Sequence, residues 1–144
     1  WRWTAGPTLE TARVKHAAVS LPNGDVLVIG GSGSAESRDA FASTELLGSR
    51  SDSFVPGPVL PDGRYKLTDA AAALPDGRVA VAGGTRVAII DLATASVDEI
   101  RSPSLERERA FQTLTPLPDG TVLVAGGYDA NIVPTTAAWL VLVT

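Results

Sequence analysis

Hydrophobic and polar positions along the chain recur in one eleven-residue pattern, in which a Leu-Pro pair precedes a polar turn and an apolar run. The three copies are LPNGDVLVIGG, LPDGRVAVAGG and LPDGTVLVAGG, at residues 21–31, 74–84 and 117–127. Each copy contains Asn-Gly or Asp-Gly, the preferred centre of a two-residue β-hairpin turn, because both residues tolerate positive φ. The apolar run is rich in β-forming residues and leads into a Gly-Gly pair. The pattern predicts three β-hairpins of one kind, and therefore a repeat protein.

Each repeat is predicted to contain four short strands, a to d, of which the hairpin supplies a and b. Strand a is small and apolar, and reads HAAVSL, DAAAAL and QTLTPL in the three repeats. Strand c follows a loop of variable length, and strand d has the weakest pattern. Small side chains suit a crowded centre, so we expect strand a to be innermost and tightly packed at residues 17–19, 70–72 and 113–114.

The two ends of the chain are predicted to complement one another. The third repeat has a strand c, TAAWLVLV, but no strand d before Thr144. The segment Trp3–Pro7, WTAGP, matches strand d of the first repeat, FVPGP at Phe54–Pro58, in its leading aromatic residue and its Gly-Pro pair. We therefore divide a single all-β domain, residues 1–144, into an outer strand at 1–12 and three repeats at 13–63, 64–108 and 109–144.

These features resemble the kelch-repeat family of β-propellers, to which galactose oxidase-like blades also belong. The resemblance rests on the apolar strand a, the hairpin, the strand b that ends in Gly-Gly, and an outer strand led by Trp3. The tyrosine that the family often carries on strand c is absent. The resemblance implies four-stranded blades around a central channel, with a terminal strand completing the last blade.

Three blades are too few for a closed ring, since propellers typically have four to eight. Two chains would supply six blades, and twofold homodimers are the commonest oligomers. We therefore expect a kelch-like propeller with three blades per chain, closed into a six-bladed ring by a homodimer that exchanges terminal strands. The alternative is that the three blades belong to a longer single-chain propeller.

Three arginines share one spacing and form the first candidate site. Pro7, Pro58 and Pro103 each precede an arginine by six residues, and these arginines are Arg13, Arg64 and Arg109. The connections from strand d to strand a lie on one face of a propeller, around the mouth of the channel. A ring of arginines there would suit a carboxylate, sulfate or phosphate. The alternative is structural, because arginines at this place in kelch-like repeats can bond loop carbonyls and tie blades together.

Two further sets of residues are candidates for ligand binding. One set stands five residues before the three Leu-Pro pairs, at the channel-facing start of strand a, and comprises His16, Asp69 and Gln112. The other lies in the loops between strands b and c, on the same face as the arginines, and comprises Phe41, Tyr128 and Asn131. Loops that vary on a regular scaffold commonly carry recognition.

Composition narrows the classes of function. The chain has no cysteine and one histidine, so we expect no metal site, no cofactor and no enzymatic activity. A net charge of −4 argues against nucleic acid as a partner. No apolar run approaches the roughly 18 residues of a membrane helix.

The prediction is therefore a non-catalytic binding or scaffold module that presents one propeller face to a protein, peptide or glycan, with an anionic ligand as one option. Two alternatives stay open. One is a self-assembling unit, a fragment or an engineered chain, without a ligand. The other is part of a larger kelch-type enzyme such as a carbohydrate oxidase, although the copper-radical chemistry of that class uses a cysteine–tyrosine crosslink and histidine ligands.

Overall fold

The computed structural model describes residues 1–36, 38–101 and 109–143, which form three antiparallel sheets and no helix. Sheet 1 contains, in spatial order, β1 (Ala17–Ser20), β2 (Val26–Ile29), β3 (Thr44–Leu47) and β4 (Phe54–Pro56). Sheet 2 contains β5 (Ala71–Ala73), β6 (Val79–Gly83), β7 (Arg86–Asp91) and β8 (Ser96–Arg101). Sheet 3 contains β9 (Thr113–Pro116), β10 (Thr121–Ala125) and β11 (Ala138–Leu142). The all-β prediction is confirmed, and the repeated meander is consistent with propeller-like blades.

The three hairpins form where the repeats predict them, but their turns differ from the expected two-residue type. In sheet 1 the Gly24 N–H donates to Leu21 O over 2.9 Å, and the Leu21 N–H donates to Asp25 O over 2.9 Å. Pro22 and Asn23 are therefore the central residues, and Gly24, at φ 87°, is the left-handed residue that follows them. This is a type I turn with a glycine bulge, and it recurs at both other hairpins. Proline fixes φ near −65°, which suits the first central position of a type I turn.

One hydrophobic core lies between sheets 1 and 2, and a second lies between sheets 2 and 3. Alternate residues of a strand point to opposite faces, and β6 divides accordingly. Val79 and Val81 pack with Leu27 and Ile29 of sheet 1 in the first core. Ala80 and Ala82 belong to the second core, which the following apolar residues of sheet 3 complete: Leu114, Val122, Val124 and Val141. Sheet 2 is thus covered on both faces.

The first strands of the three sheets lie side by side, since β1 contacts β5 and β5 contacts β9. Burial alternates along β1 and β9, and β5 is half-buried at all three residues, whereas the sequence led us to expect uniform tight packing. Val19 and Leu114 are buried, but Ala18 and Thr113 are exposed. The physical reason is that Ala18 and Thr113 point away from sheet 2, onto faces that no described sheet covers.

The amino-terminal segment and the outer edge of sheet 3 are exposed and do not take part in these cores. Residues 1–9 contain no strand, and the side chains of Trp1 and Trp3 are almost fully exposed. Among the described residues, β11 pairs with β10 alone, so its other edge is open. Leu140 and Leu142 on this edge strand are also exposed. Within one chain, the segment predicted as an outer strand does not pair with sheet 3.

Candidate functional site

Arg13 lies inside sheet 1, where its guanidinium is fully engaged. It donates to the carbonyl oxygens of Gly30 over 2.8 Å and Ser43 over 3.2 Å, and it forms an ion pair with Glu45 Oε1 at 2.6 Å. The Phe41 ring covers it, with 5.5 Å between the guanidinium carbon and the ring centroid. The Arg13 side chain has no exposed surface. These contacts support the structural alternative for this arginine, and they place Phe41 against it.

The Glu45 carboxylate holds the segment that precedes β1. Oε2 accepts the backbone N–H of Glu10 over 2.7 Å, and Oε1 accepts that of Thr11 over 3.1 Å. Burial pushes the pKa of Glu45 upward, but the amide of Glu10, the guanidinium of Arg13 and the amide of Thr11 together hold that pKa below its ordinary value. The carboxylate therefore stays ionised beside the buried cation.

Arg64 connects sheet 1 to sheet 2. Its backbone N–H donates to Phe41 O over 3.0 Å, and its carbonyl accepts the Gly31 N–H over 2.8 Å, both in the connection between β2 and β3. Its guanidinium reaches into sheet 2, where it donates to Val81 O over 2.8 Å and pairs with Glu99 at 2.8 Å. Burial lowers the pKa of Arg64, and the charge of Glu99 opposes that effect. Like Arg13, this arginine is used inside the fold.

Arg109 lies at the next junction and has a different environment. Its backbone N–H donates to Gly84 O over 3.2 Å, which links sheet 2 to the start of the third repeat. Its guanidinium stands over the Trp139 ring at 5.9 Å. Arg64 and Arg109 both line a depression of about 820 Å³ on the face that carries the connections, whereas Arg13 does not line it. Within one chain, two of the three arginines predicted as a ring therefore share this opening.

His16, Asp69 and Gln112 hold the same place relative to the first strands, because each directly precedes a residue that lies opposite the position five residues after a turn glycine: Ala17, Ala70 and Thr113. Their backbones differ. Lys15 and Phe111, which precede His16 and Gln112, are both left-handed at φ 57°. In sheet 2 both Lys66, at φ 59°, and Asp69 itself, at φ 58°, are left-handed. This repeat has two more residues between its arginine and the first strand, and Asp69 is exposed.

Two polar atoms at these positions are buried without a hydrogen bond. They are His16 Nδ1 and Gln112 Nε2. The Gln112 residue is 2% exposed and packs beneath Gly127, where an added Cβ would approach its Cγ to 3.0 Å. In the described ranges, no group of three or more histidine and acidic side chains could hold a metal ion.

The predicted loop residues have separate surroundings. Tyr128 lines the depression, and its ring contacts that of Phe111 with 5.6 Å between the centroids. Asn131 is exposed, and its backbone N–H donates to Asp129 Oδ1 over 2.9 Å, within its own loop. Of the three loop residues, Tyr128 alone is among those that line the depression.

Lys66 is the residue of this face that the sequence analysis missed. Its Nζ donates to the Tyr128 hydroxyl over 2.9 Å and lies 5.2, 5.8 and 5.1 Å from the ring centroids of Tyr65, Phe111 and Tyr128. A signal was available in the sequence, since the only two lysines, Lys15 and Lys66, both stand two residues after the aligned arginines Arg13 and Arg64.

Comparison with known proteins does not assign the chain to a family. No family model matches it, and no curated protein matches its sequence. Over the part of the chain that the structure describes, no helix is long and apolar enough to cross a membrane. The function therefore has to be inferred from the fold and the geometry above.

Proposed function

We propose that the chain is a non-catalytic binding or scaffold module of kelch-like propeller blades, which assembles as a six-bladed ring of two copies and presents one face to a ligand. The observation that carries the proposal is the junction between sheets 1 and 2. A second junction of this kind can form between two copies. The open edge of sheet 3 carries the backbone acceptors for it, and the amino-terminal segment carries the backbone donors.

The junction between sheets 1 and 2 begins where β4 pairs with β3. Just past β4, the Gly57 N–H donates to Thr44 O over 3.0 Å. The chain then passes along sheet 1, where Leu60 N–H donates to Ala42 O over 2.9 Å and Arg64 N–H donates to Phe41 O over 3.0 Å. Leu60 is buried in the first core. Residues 57–64 are therefore held by three backbone carbonyls of sheet 1, one at the first residue of β3 and two in the segment just before it.

The third repeat carries the same acceptors beside β11. Glu45 of β3 lies opposite Val28, and Trp139 of β11 lies opposite Val124, four residues after the turn glycine in both hairpins. Phe41 N–H donates to Gly31 O, and Thr135 N–H donates to Gly127 O in the same way. Thr44, Ala42 and Phe41 therefore correspond to Ala138, Thr136 and Thr135.

The amino-terminal segment carries the matching donors. In the alignment of Trp3–Pro7 with Phe54–Pro58, Gly6 corresponds to Gly57. Continuing it makes Leu9 and Arg13 correspond to Leu60 and Arg64. In the proposed ring, the N–H groups that donate to Ala138, Thr136 and Thr135 of one copy are those of Gly6, Leu9 and Arg13 of the other.

Side-chain sizes support the same register. Pro56 of β4 lies opposite Glu45, and in the ring Ala5 would lie opposite the larger Trp139. A Cβ on Gly57 would fall 2.4 Å from Thr44 Oγ1 and 3.3 Å from Leu27 Cδ1, so sheet 1 requires glycine there. In the ring, Gly6 would stand at the matching position, beside Ala138 and Leu123. Pairing would also cover the exposed edge strand and the exposed Trp3, which are an aggregation hazard when left open.

Solution mass tests the proposal, with Gly6→Val as the decisive variant. Within one chain, nothing lies within 4 Å of a Cβ added to Gly6, so the substitution causes no clash there. In the ring, the two methyl groups of the valine would crowd Ala138 and Leu123, which correspond to Thr44 and Leu27 beside Gly57. We expect the unaltered chain to sediment as a dimer of 14.9 kDa protomers at micromolar concentration and Gly6→Val to sediment as a folded monomer.

Thr4→Val is the matched control, because Thr4 corresponds to Val55 and a valine is accepted there. It should remain dimeric. A folded monomer for the unaltered chain, or a dimer that tolerates Gly6→Val, would contradict the strand exchange.

A further inference from the structure

The depression on the face that carries the connections, called the basin below, has the size of a small-ligand site. Its volume of about 820 Å³ lies within the roughly 300–1,000 Å³ typical of such sites. It is bounded by connections from all three repeats, at residues 38, 40, 62–66, 83–86, 109, 110, 128–130 and 132. The described part of its lining consists of loops, whereas an extended peptide would need a sheet edge or a long groove.

Lys66 is the cation at the centre of an aromatic cluster beside this basin. Three rings surround its ammonium group, and the left-handed backbone at φ 59° is unusual for a lysine. The hydrogen bond to the Tyr128 hydroxyl, as the largest cause, raises the pKa of Lys66, so the group is a cation at neutral pH. The left-handed backbone recurs at Lys15 and Phe111 and so belongs to the repeat, whereas the hydrogen bond to Tyr128 and the contact with three rings are particular to Lys66.

The hydrogen bond between Lys66 and Tyr128 leaves a donor directed away from the lysine. The Tyr128 oxygen accepts the bond from Nζ, so its own O–H has to donate elsewhere. The lysine ammonium has two further N–H groups. An anion in contact with both side chains would receive one hydrogen bond from a phenol that an adjacent cation polarises, and others from the cation itself.

Some of the cations that line the basin have an ion-pair partner among the described residues, and others do not. Arg64 and Arg86 form ion pairs with Glu99, and Arg86 also pairs with Asp62. The described residues form no such pair with Lys66 or with Arg38, another lining residue. The two cations are close enough that the charge of Arg38 opposes protonation of Lys66. An anion bound between them would relieve that repulsion.

We infer that this basin binds a small organic oxyanion, a carboxylate or sulfate attached to a sugar-sized body, with Lys66 and Tyr128 as its principal contacts. The anionic group lies against the Lys66 ammonium and the Tyr128 hydroxyl, and the rings of Tyr65 and Phe111 line the lysine behind it. The inference rests on the proposed binding function. It does not require the dimer, because one chain supplies every residue named.

Calorimetric titration with D-glucuronate, D-glucose and sodium sulfate tests the inference. We expect glucuronate to bind at least tenfold more tightly than glucose, because the two differ chiefly by the carboxylate, and more tightly than sulfate, because sulfate lacks the sugar body. Raising the salt concentration should weaken the binding of glucuronate. Equal affinities for glucuronate and glucose would overturn the assignment of an oxyanion. Saturable binding of an acidic peptide without binding of glucuronate would overturn the assignment of a small ligand.

Two variants and a control locate the site. Lys66→Gln should weaken the binding of glucuronate at least tenfold, and Tyr128→Phe, which keeps the ring but removes the hydroxyl, about threefold to tenfold. Arg50→Gln removes the same charge from the exposed β3–β4 turn, at the other end of the strands, and should change the affinity less than twofold. Unchanged binding by Lys66→Gln would refute the site.

The Gly6→Val variant separates this inference from the assembly. A monomer that still binds glucuronate is the result we expect, and it shows that the site does not need the ring. If the unaltered dimer binds glucuronate and the Gly6→Val monomer does not, the site belongs to the assembly, and the inference as stated for one chain is overturned.

Discussion

Replacing Glu45 tests whether the buried ion pair with Arg13 is structural. Glu45→Ala removes the counter-charge of a guanidinium that has no exposed surface. It also removes the acceptor for the Glu10 and Thr11 amides, but these residues are exposed and water can replace it. The main cost therefore arises from the buried cation left without its carboxylate.

The size of that cost follows from what Arg13 retains. Removing one partner of a buried pair typically costs about 3–5 kcal/mol. Arg13 keeps its bonds to the carbonyls of Gly30 and Ser43, so we expect a loss near the lower end, about 3 kcal/mol. Glu45→Gln preserves the shape and one acceptor oxygen but also leaves the cation without its counter-charge, so it should cost only somewhat less than Glu45→Ala, about 2–3 kcal/mol.

Urea denaturation followed by tryptophan fluorescence, at one fixed protomer concentration, measures these differences. Glu36→Ala, at an exposed glutamate, is the control and should change the free energy of unfolding by less than about 0.5 kcal/mol. In a double-mutant cycle, Arg13→Met combined with Glu45→Leu should lose at least about 2 kcal/mol less than the sum of the single changes. A Glu45→Ala variant within about 1 kcal/mol of the unaltered chain would refute the reasoning.

Two further predictions concern pH and backbone strain. Because the pKa of Glu45 is lower in the folded state than its ordinary value of 4.5, its contribution to stability is present above about pH 4.5 and disappears as pH falls through the folded pKa. The difference in unfolding free energy between the unaltered chain and Glu45→Gln should therefore shrink in acid, and a constant difference down to pH 2 would contradict this. Ala95 is exposed in the β7–β8 turn at φ 54°, so Ala95→Gly should relieve strain and raise the free energy of unfolding by about 0.5–1 kcal/mol. A lower free energy of unfolding would show that the turn is not strained.

The sequence predicted the sheets well because each hairpin depends on local chemistry. A Leu-Pro pair, a turn glycine and an alternating apolar run act over about ten residues, and all three copies form hairpins. The turn type was wrong because Asn-Gly suggested a two-residue turn, while the proline one residue earlier favours a type I turn with its bulge. Counting back from the Leu-Pro pair gave Asp69 the same strand register as His16 and Gln112, but it could not reveal the two residues added before Asp69, where the backbone is left-handed and the side chain exposed.

The candidate site was harder to predict because its contacts are not periodic. Arg13 and Arg64 share a spacing, yet the carboxylate of Glu45 comes from the third strand of its sheet and that of Glu99 from the fourth. No alignment of repeats pairs these two acids, so the sequence could not show that both arginines are neutralised. The Lys66 cluster likewise joins side chains from two repeats, Tyr65 from one and Tyr128 from another.

Because Arg64 is bonded to both sheet 1 and sheet 2, a single sequence repeat is not the unit that unfolds cooperatively. A repeat counted by sequence ends just before this residue, but its backbone is bonded to sheet 1 and its guanidinium to sheet 2. In a linear array of repeats, strong coupling between neighbours makes them melt together. Sheets 1 and 2 should therefore lose their amide protection against hydrogen exchange in a single step. A gene segment cut at the repeat boundary would separate this arginine from one of the two sheets that it holds.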